Sequence, residues 1–158
     1  MLPGFSMESW NIHRLCRVWL LMQINASEKE NYLNKIETIF RTAEMNELVA
    51  LYSALPLLQY PKEWIMRCAE GIRSNIGIVL EAIMYENPYA FNNLDESAWN
   101  QMVLKAFFTD KDINRIYGLE KRANKKLSAT LFDYANERKA ANRVVNKDLW
   151  PLMEKFPN

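Results

Sequence analysis

Apolar residues recur along this chain at intervals of three and four, the spacing of one face of an α-helix. The pattern predicts a first helix from about Met7 to Ile24. Ser6 would be its N-cap, with Ile12, Leu15, Trp19 and Met22 on its inner face. Ser27 and Glu30 have capping-box spacing and open a second helix, whose stripe is Leu33, Ile36, Phe40 and Ala43. A third carries Met45, Leu48, Val49 and Tyr52 and should stop at Pro56, since a mid-helix proline loses a hydrogen bond and clashes one turn back. Pro61 suits the first position of a fourth, lined by Trp64, Ile65, Cys68 and Ile72. A fifth follows with Ile76, Val79, Leu80 and Ile83, and Asn87-Pro88 ends it in a loop.

The sixth helix is expected to start at Asp95 as N-cap, with Leu94 packed on Trp99, and to bury Trp99, Met102, Val103, Ala106 and Phe107. A connector with one short turn covers Asp110 to Ala123, with Gly118 as a left-handed stop. Asn124 then caps a long helix with Leu127, Leu131, Tyr134 and Ala135 inward. A short last helix follows Asn146, with Pro151 awkwardly deep within it. No stretch alternates β-branched and polar residues for the length of a strand. Leu51-Tyr52-Ser53-Ala54-Leu55, Val79-Leu80-Glu81-Ala82-Ile83 and Val103-Leu104-Lys105-Ala106-Phe107 share one pattern, in which the alanine lets a neighbouring helix come close. The fold predicted is all-α: a right-handed stack of antiparallel helix pairs, HEAT- or armadillo-like, with about seven or eight helices. Residues 1–158 are read as one domain.

Composition agrees with this pattern. Only 4 glycines occur in 158 residues, too few for the frequent turns of a sheet protein. A net charge of +1 supplies no global field toward nucleic acid, and no nucleic-acid partner is expected. The exception is local. Lys111, Arg115, Lys121, Arg122, Lys125 and Lys126 face only Asp112 and Glu120 nearby, which reads either as a solvated connector or as an anion-facing patch. Cys16 and Cys68 stand on separate predicted helices and are read as small buried thiols. The run Val18-Trp19-Leu20-Leu21-Met22 is far short of the ~20 residues that span a bilayer. With no cleavage site after it, the expected location is cytoplasmic, and no membrane span is expected.

The sequence lacks the usual catalytic constellations. His13 and Cys16 have ligand spacing, but His13 is the only histidine, so no metal site is expected. No glycine-rich phosphate loop occurs, and no cofactor is expected. What stands out is polar residues crowded against apolar helix faces: Glu70, Arg73, Asn75, Asn100, Gln101, Lys105 and Arg138. Arg138 falls in line with Leu127, Leu131 and Tyr134 and is therefore placed on the buried face. A buried guanidinium needs a partner, with Glu70 the first choice and Asp95 the second. The cluster reads either as a buried ion pair locking helix ends or as the lining of a pocket for a small anionic or amide-bearing ligand.

Several segments carry a family resemblance. They are Leu55-Pro56-Leu57-Leu58 with Tyr60-Pro61, Ala69-Glu70-Gly71-Ile72-Arg73-Ser74-Asn75, Asn87-Pro88-Tyr89, and the run Ala98-Trp99-Asn100-Gln101-Met102-Val103-Leu104-Lys105-Ala106. Gly118-Leu119, Arg122-Ala123-Asn124, Glu137-Arg138 with Ala140-Ala141 and Arg143, and Leu149-Trp150 complete the series. Together, over residues 45–151, they resemble the EboA family. Asn136 stands where many members have a His, and a Pro is missing near Lys147. The resemblance implies a helical, HEAT-like protein. It also implies a gene cluster that includes a prenyltransferase-like membrane protein, a dehydroquinate-synthase-like protein and hydrolase-like proteins. Such clusters are associated with making or moving secondary metabolites, in some bacteria toward the periplasm. No catalytic residues carry over.

Two functional readings follow. One is a non-catalytic binding or scaffold protein in such a pathway, whose partners are other proteins of the cluster or a small metabolite. The other is an enzyme acting on a small aromatic or prenylated metabolite through carboxylate, Lys105 or arginine chemistry.

Overall fold

The computed structural model describes residues 2–156. Among them are ten α-helices: α1 (Ile12–Met22), α2 (Lys29–Thr42), α3 (Met45–Ala54), α4 (Ile65–Arg73), α5 (Gly77–Met84), α6 (Tyr89–Asn93), α7 (Glu96–Phe108), α8 (Leu119–Arg122), α9 (Lys125–Ala140) and α10 (Trp150–Glu154). Short 3-10 turns at Pro61–Trp64 and Lys147–Leu149 run into α4 and α10, and another lies at Ile113–Arg115. No strand occurs among the described residues; an isolated antiparallel bridge joins Tyr85 to Ile116. Two helices exceed the expected number. The five-residue α6 lies in the segment read as loop after Pro88, and the four-residue α8 in the connector. Both are too short to show a periodic stripe.

Capping chemistry sets most of the boundaries. Asp95 accepts from the Ala98 amide at 2.7 Å and Asn124 from the Leu127 amide at 2.9 Å, as their side chains predict. Pro61 opens the turn before α4. Pro151 sits in the first turn of α10, because Asn146 caps a separate 3-10 turn ahead of it. Two N-termini differ from expectation. Asn11, not Ser6, caps α1 by accepting from the Arg14 amide at 2.8 Å. The expected capping box at Ser27 and Glu30 does not form, and α2 starts after Glu28 without a side-chain cap. A capping box forms instead between Glu44 and Glu47, ahead of α3.

The middle of the molecule is built on α3 and α5. α3 buries six successive residues, Val49 to Ala54, so it is covered all round in its second half. α1 packs on α3, α3 on α5 and α5 on α4, while α7 packs on α4 and α9, and α9 on α10. Gly71 marks the closest approach. A Cβ there would stand 2.5 Å from Ile83 Cδ1 and 2.6 Å from the Tyr52 ring, so α4 reaches α3 and α5 only without a side chain. Ala54, Ala82 and Ala106, the shared alanines of the three echoed segments, are all buried. The stripes expected for α7 and α9 are buried in full.

The first helix is turned over relative to expectation. Val18 and Leu21 are buried, whereas Ile12 and Trp19 are 64% and 61% exposed, and Leu15 and Met22 are exposed as well. The side turned toward α3 is the one that carries Arg14 and Arg17, and the more apolar side, with Ile12, Leu15 and Trp19, faces outward. Cys16 lies on the outer side and is exposed, contrary to the buried thiol expected. Cys68 is fully buried, and that burial pushes its thiol up to about 12, which keeps it protonated and unreactive.

The ends of α3 and α5 leave backbone carbonyls inside the core. Asn87, buried at 4% exposure, answers both. Its amide nitrogen donates to Tyr52 O at 3.1 Å and Ala82 O at 2.8 Å, and its oxygen accepts from the Tyr89 amide at 3.0 Å. Asn87→Leu keeps the volume and strands these groups. It should lower stability by about 2–4 kcal/mol, because each buried unsatisfied group costs roughly 1–3 kcal/mol. Urea unfolding measures this, and a change within about 0.5 kcal/mol, the range of a surface substitution, would show that Asn87 does not tie the helix ends together.

Candidate functional site

The polar residues singled out in the sequence are dispersed by the fold. Lys105 on α7 donates to Asn75 Oδ1 at 3.1 Å and lies 3.5 Å from the carbonyl of Arg73, so these three meet just beyond α4. They place a cation at a helix C-terminus, where it is favoured by the helix dipole. Asn100 pairs with Asn124 through both amides, at 3.1 and 2.9 Å, tying α7 to the start of α9. Gln101 is exposed. Glu70 is exposed and pairs with Arg67 at 2.8 Å; Arg67 also holds Glu37 and lies 5.2 Å from the Phe40 ring centroid.

Arg138 does not pair with Glu70 or Asp95. It is half-buried at the last turn of α9, 5.9 Å from the Tyr134 ring centroid. There it donates to Val144 O through Nε at 3.1 Å and Nη2 at 2.8 Å. The helical register placed it correctly, one turn past Tyr134, but α9 runs beyond the core by that turn. The chain then reverses at Asn142, whose φ is +52°, and presents the carbonyl. The arginine that works inside the protein is Arg122. Its Nη1 faces three carbonyls, of Ala90, Phe91 and Leu94, at 3.3, 2.9 and 3.0 Å, and its guanidinium lies 4.7 Å from the Trp99 ring centroid. Loss of water holds its pKa below the usual arginine range.

The basic connector is mostly engaged. Lys111 binds Glu81 at 2.6 Å, Arg115 binds Glu86 at 2.9 Å and lies 4.3 Å from the Tyr85 ring centroid, and Lys126 binds Glu96 at 3.1 Å. These cations staple the connector and the start of α9 to α5 and α7. A cavity of about 630 Å³ lies between the connector and α10. Its charged lining is of both signs, Glu120 and Asp148 with Lys121 and Lys155, and Lys155 already donates to the Glu120 carbonyl at 2.6 Å.

A different arrangement stands where α1 crosses α3 and α5. A cavity of about 430 Å³ is lined by Asn11, His13, Arg14, Arg17, Asn46, Val49 and Ile78. It has two guanidiniums, two amides and an imidazole, and no acid. Arg14 and Arg17 are three apart on α1 and share a side of it. Neither is in an ion pair among the described residues. The first turn of α1 contains no acidic residue that would offset its positive end. Arg14 Nε is buried and has no hydrogen-bond partner. Burial, partly offset by the charge of Glu81, holds the Arg14 pKa below the usual arginine range. The Glu81 carboxylate is itself taken by Lys111. Toward Glu81 and Tyr85, Arg14 also borders a smaller cavity of about 140 Å³. Beyond Arg17 lies a third, of about 180 Å³, lined by Leu20, Leu21, Ile24, Ile39, Glu47, Ala50 and Leu51. Chemically, a concentration of fixed positive charge with unused donors holds an anion.

A model of the EboA family, described as a metabolite traffic protein, matches residues 1–154. The chain belongs to the EboA family. No curated protein and no solved structure matches it. The EboA match includes residues 1–44, which contain none of the motif segments and hold the α1 side of the basic cavity. The sequence signal for that cavity was slight: Arg14 and Arg17 are basic residues one turn apart within an otherwise apolar helix. No helix among the described residues is long and apolar enough to cross a membrane. Nor is there a group of three or more His, Cys, Asp or Glu side chains among them placed to hold a metal ion.

The two arginines should separate in a stability measurement. Arg122→Ala removes the donor to three carbonyls and the cation beside Trp99, and is expected to cost about 2–4 kcal/mol. Arg138→Ala loses an exposed contact to one carbonyl and is expected to cost about 1 kcal/mol or less. Urea unfolding of both variants checks this; equal losses would place Arg138 in the core framework after all.

Proposed function

We propose that this EboA protein binds a small anionic metabolite in the cavity between α1, α3 and α5, and hands it on chemically unchanged. The observation that carries this reading is the pairing of Arg14 with Arg17 in a lining that holds no acid, neither guanidinium being in an ion pair among the described residues. Arg14 is half-buried, and its guanidinium lies 5.8 Å from the Trp10 ring centroid with no carboxylate bound to it. A bound carboxylate or similar anion would supply an acceptor to the terminal nitrogens of both arginines. The lining groups suit holding rather than reacting: guanidiniums keep their protons at neutral pH, and amides orient without exchanging them. The family's description as a metabolite traffic protein supports the same role.

The wider setting is part of the proposal. The protein would act as one cytoplasmic domain, a binding or scaffold component of a secondary-metabolite biosynthesis or transport cluster. Other proteins of that cluster would be its exchange partners. The buried alanines of the three echoed segments support a HEAT-like stacking of helix pairs.

Calorimetric titration with butanoate, the simplest probe of such an anion site, tests the reading. Butanoate should bind, and Arg14→Met should weaken it about tenfold or more, since a charge-assisted hydrogen bond is worth roughly 1.5–3 kcal/mol. The same substitution should change unfolding stability by no more than about 1 kcal/mol, because Met keeps much of the side chain's apolar packing and removes a half-buried charge that is in no ion pair. Loss of stability by more than about 1 kcal/mol without loss of binding would make Arg14 a structural residue.

A further inference from the structure

We infer that the anion bound in this cavity carries an apolar body, which lies along α1 from Arg17 toward Ile24; this rests on the anion site proposed above. Arg17 lines both the basic cavity and the apolar one beyond it, so the two meet at its side chain. On α1 the lining residues Arg14, Arg17 and Leu21 follow at steps of three and four and share one side of the helix, and Ile24 lies just past its end. α3 borders both cavities, with Asn46 and Val49 on the basic one and Glu47, Ala50 and Leu51 on the apolar one. Such a groove fits an amphiphilic organic anion, with its head between the guanidiniums and its body on Leu20, Leu21, Ile24 and Ile39.

The size and charge of the apolar part narrow the class. Its volume of about 180 Å³ takes a short alkyl chain, an isoprenoid unit or one ring. Glu47, the acid on its rim, accepts from the Glu44 amide at 2.9 Å in the capping box and is fixed there. Its charge confines the negative end of the ligand to the arginines and disfavours a dianion charged at both ends. The outer face of α1 is a separate surface. Ile12 and Trp19 line neither cavity.

Calorimetric titration of the full chain with butanoate, octanoate and octan-1-ol tests the inference. Each buried methylene adds about fourfold to affinity, which corresponds to ~0.8 kcal/mol. Octanoate, part of whose chain remains in contact with water, should therefore bind at least about tenfold tighter than butanoate. Octan-1-ol, lacking the charge, should bind at least about tenfold more weakly than octanoate. Leu20→Ser, at an exposed position, should collapse the octanoate-to-butanoate ratio, and Trp19→Ser should leave that ratio as it was. Equal affinities for octanoate and butanoate, both lost in Arg14→Met, would overturn the apolar body and keep the anion site. A ratio that depends on Trp19 and not on Leu20 would place the chain on the outer face of α1 and overturn the groove. Binding of neither acid would remove the anion site and this inference together.

Discussion

The structure depends on satisfying the carbonyl ends of α3 and α5 inside the core. Both helices are short, and both are buried on most of their surface. Helices of that length gain little stability from propensity and need tertiary burial to form. Burial also removes the water that would otherwise satisfy the last carbonyls. One side chain, Asn87, resolves this for both helices and sets the first turn of α6 through its third bond. Gly71 depends on the same junction, because α4 fits there only once α3 and α5 are fixed against each other. The outer elements are then fastened to this centre by cations: Lys111 to α5, Arg115 to Glu86, and Arg122 to the carbonyls around α6.

Much of the fold was legible because many of its devices are local. Asp95, Asn124 and Asn146 act within three residues of themselves, and Pro61 acts on its own backbone. The buried stripes of α7 and α9 follow from a strong period with one apolar side. On α1 the more apolar side faces outward and the side carrying Arg14 and Arg17 faces α3, so the period that identifies the helix points to the wrong face. A hydrophobic period identifies a helix, but the face that is buried depends on what packs against it. The same limit applies to Arg138. Its register was correct, but register says nothing about how far the core extends along a helix.

The candidate site was less legible, for a different reason. The polar residues that stand out in the sequence, Asn100, Lys105 and Asn75 among them, bond other side chains or nearby carbonyls across helix ends. Their contrast with apolar neighbours signals interhelix bonding at least as strongly as it signals a pocket. Arg14 and Arg17 gave a weaker contrast, since a basic residue on a surface helix is ordinary. What distinguishes Arg14 is the absence of a partner for its buried Nε, and a partner's absence is a property of the tertiary structure.

Charge therefore separates framework from site more clearly than residue type does. The connector has the densest run of cations, yet Lys111, Arg115, Arg122 and Lys126 are all answered by carboxylates or carbonyls. The α1 cavity has only two arginines, and neither is answered by an acid. Arg14 is half-buried over the Trp10 ring with its Nε enclosed and without an acceptor, so its charge is only partly offset within the protein. An anion bound beside it would complete that charge balance from outside. It would also be a stabilising ligand, by an amount that grows with its concentration relative to the dissociation constant.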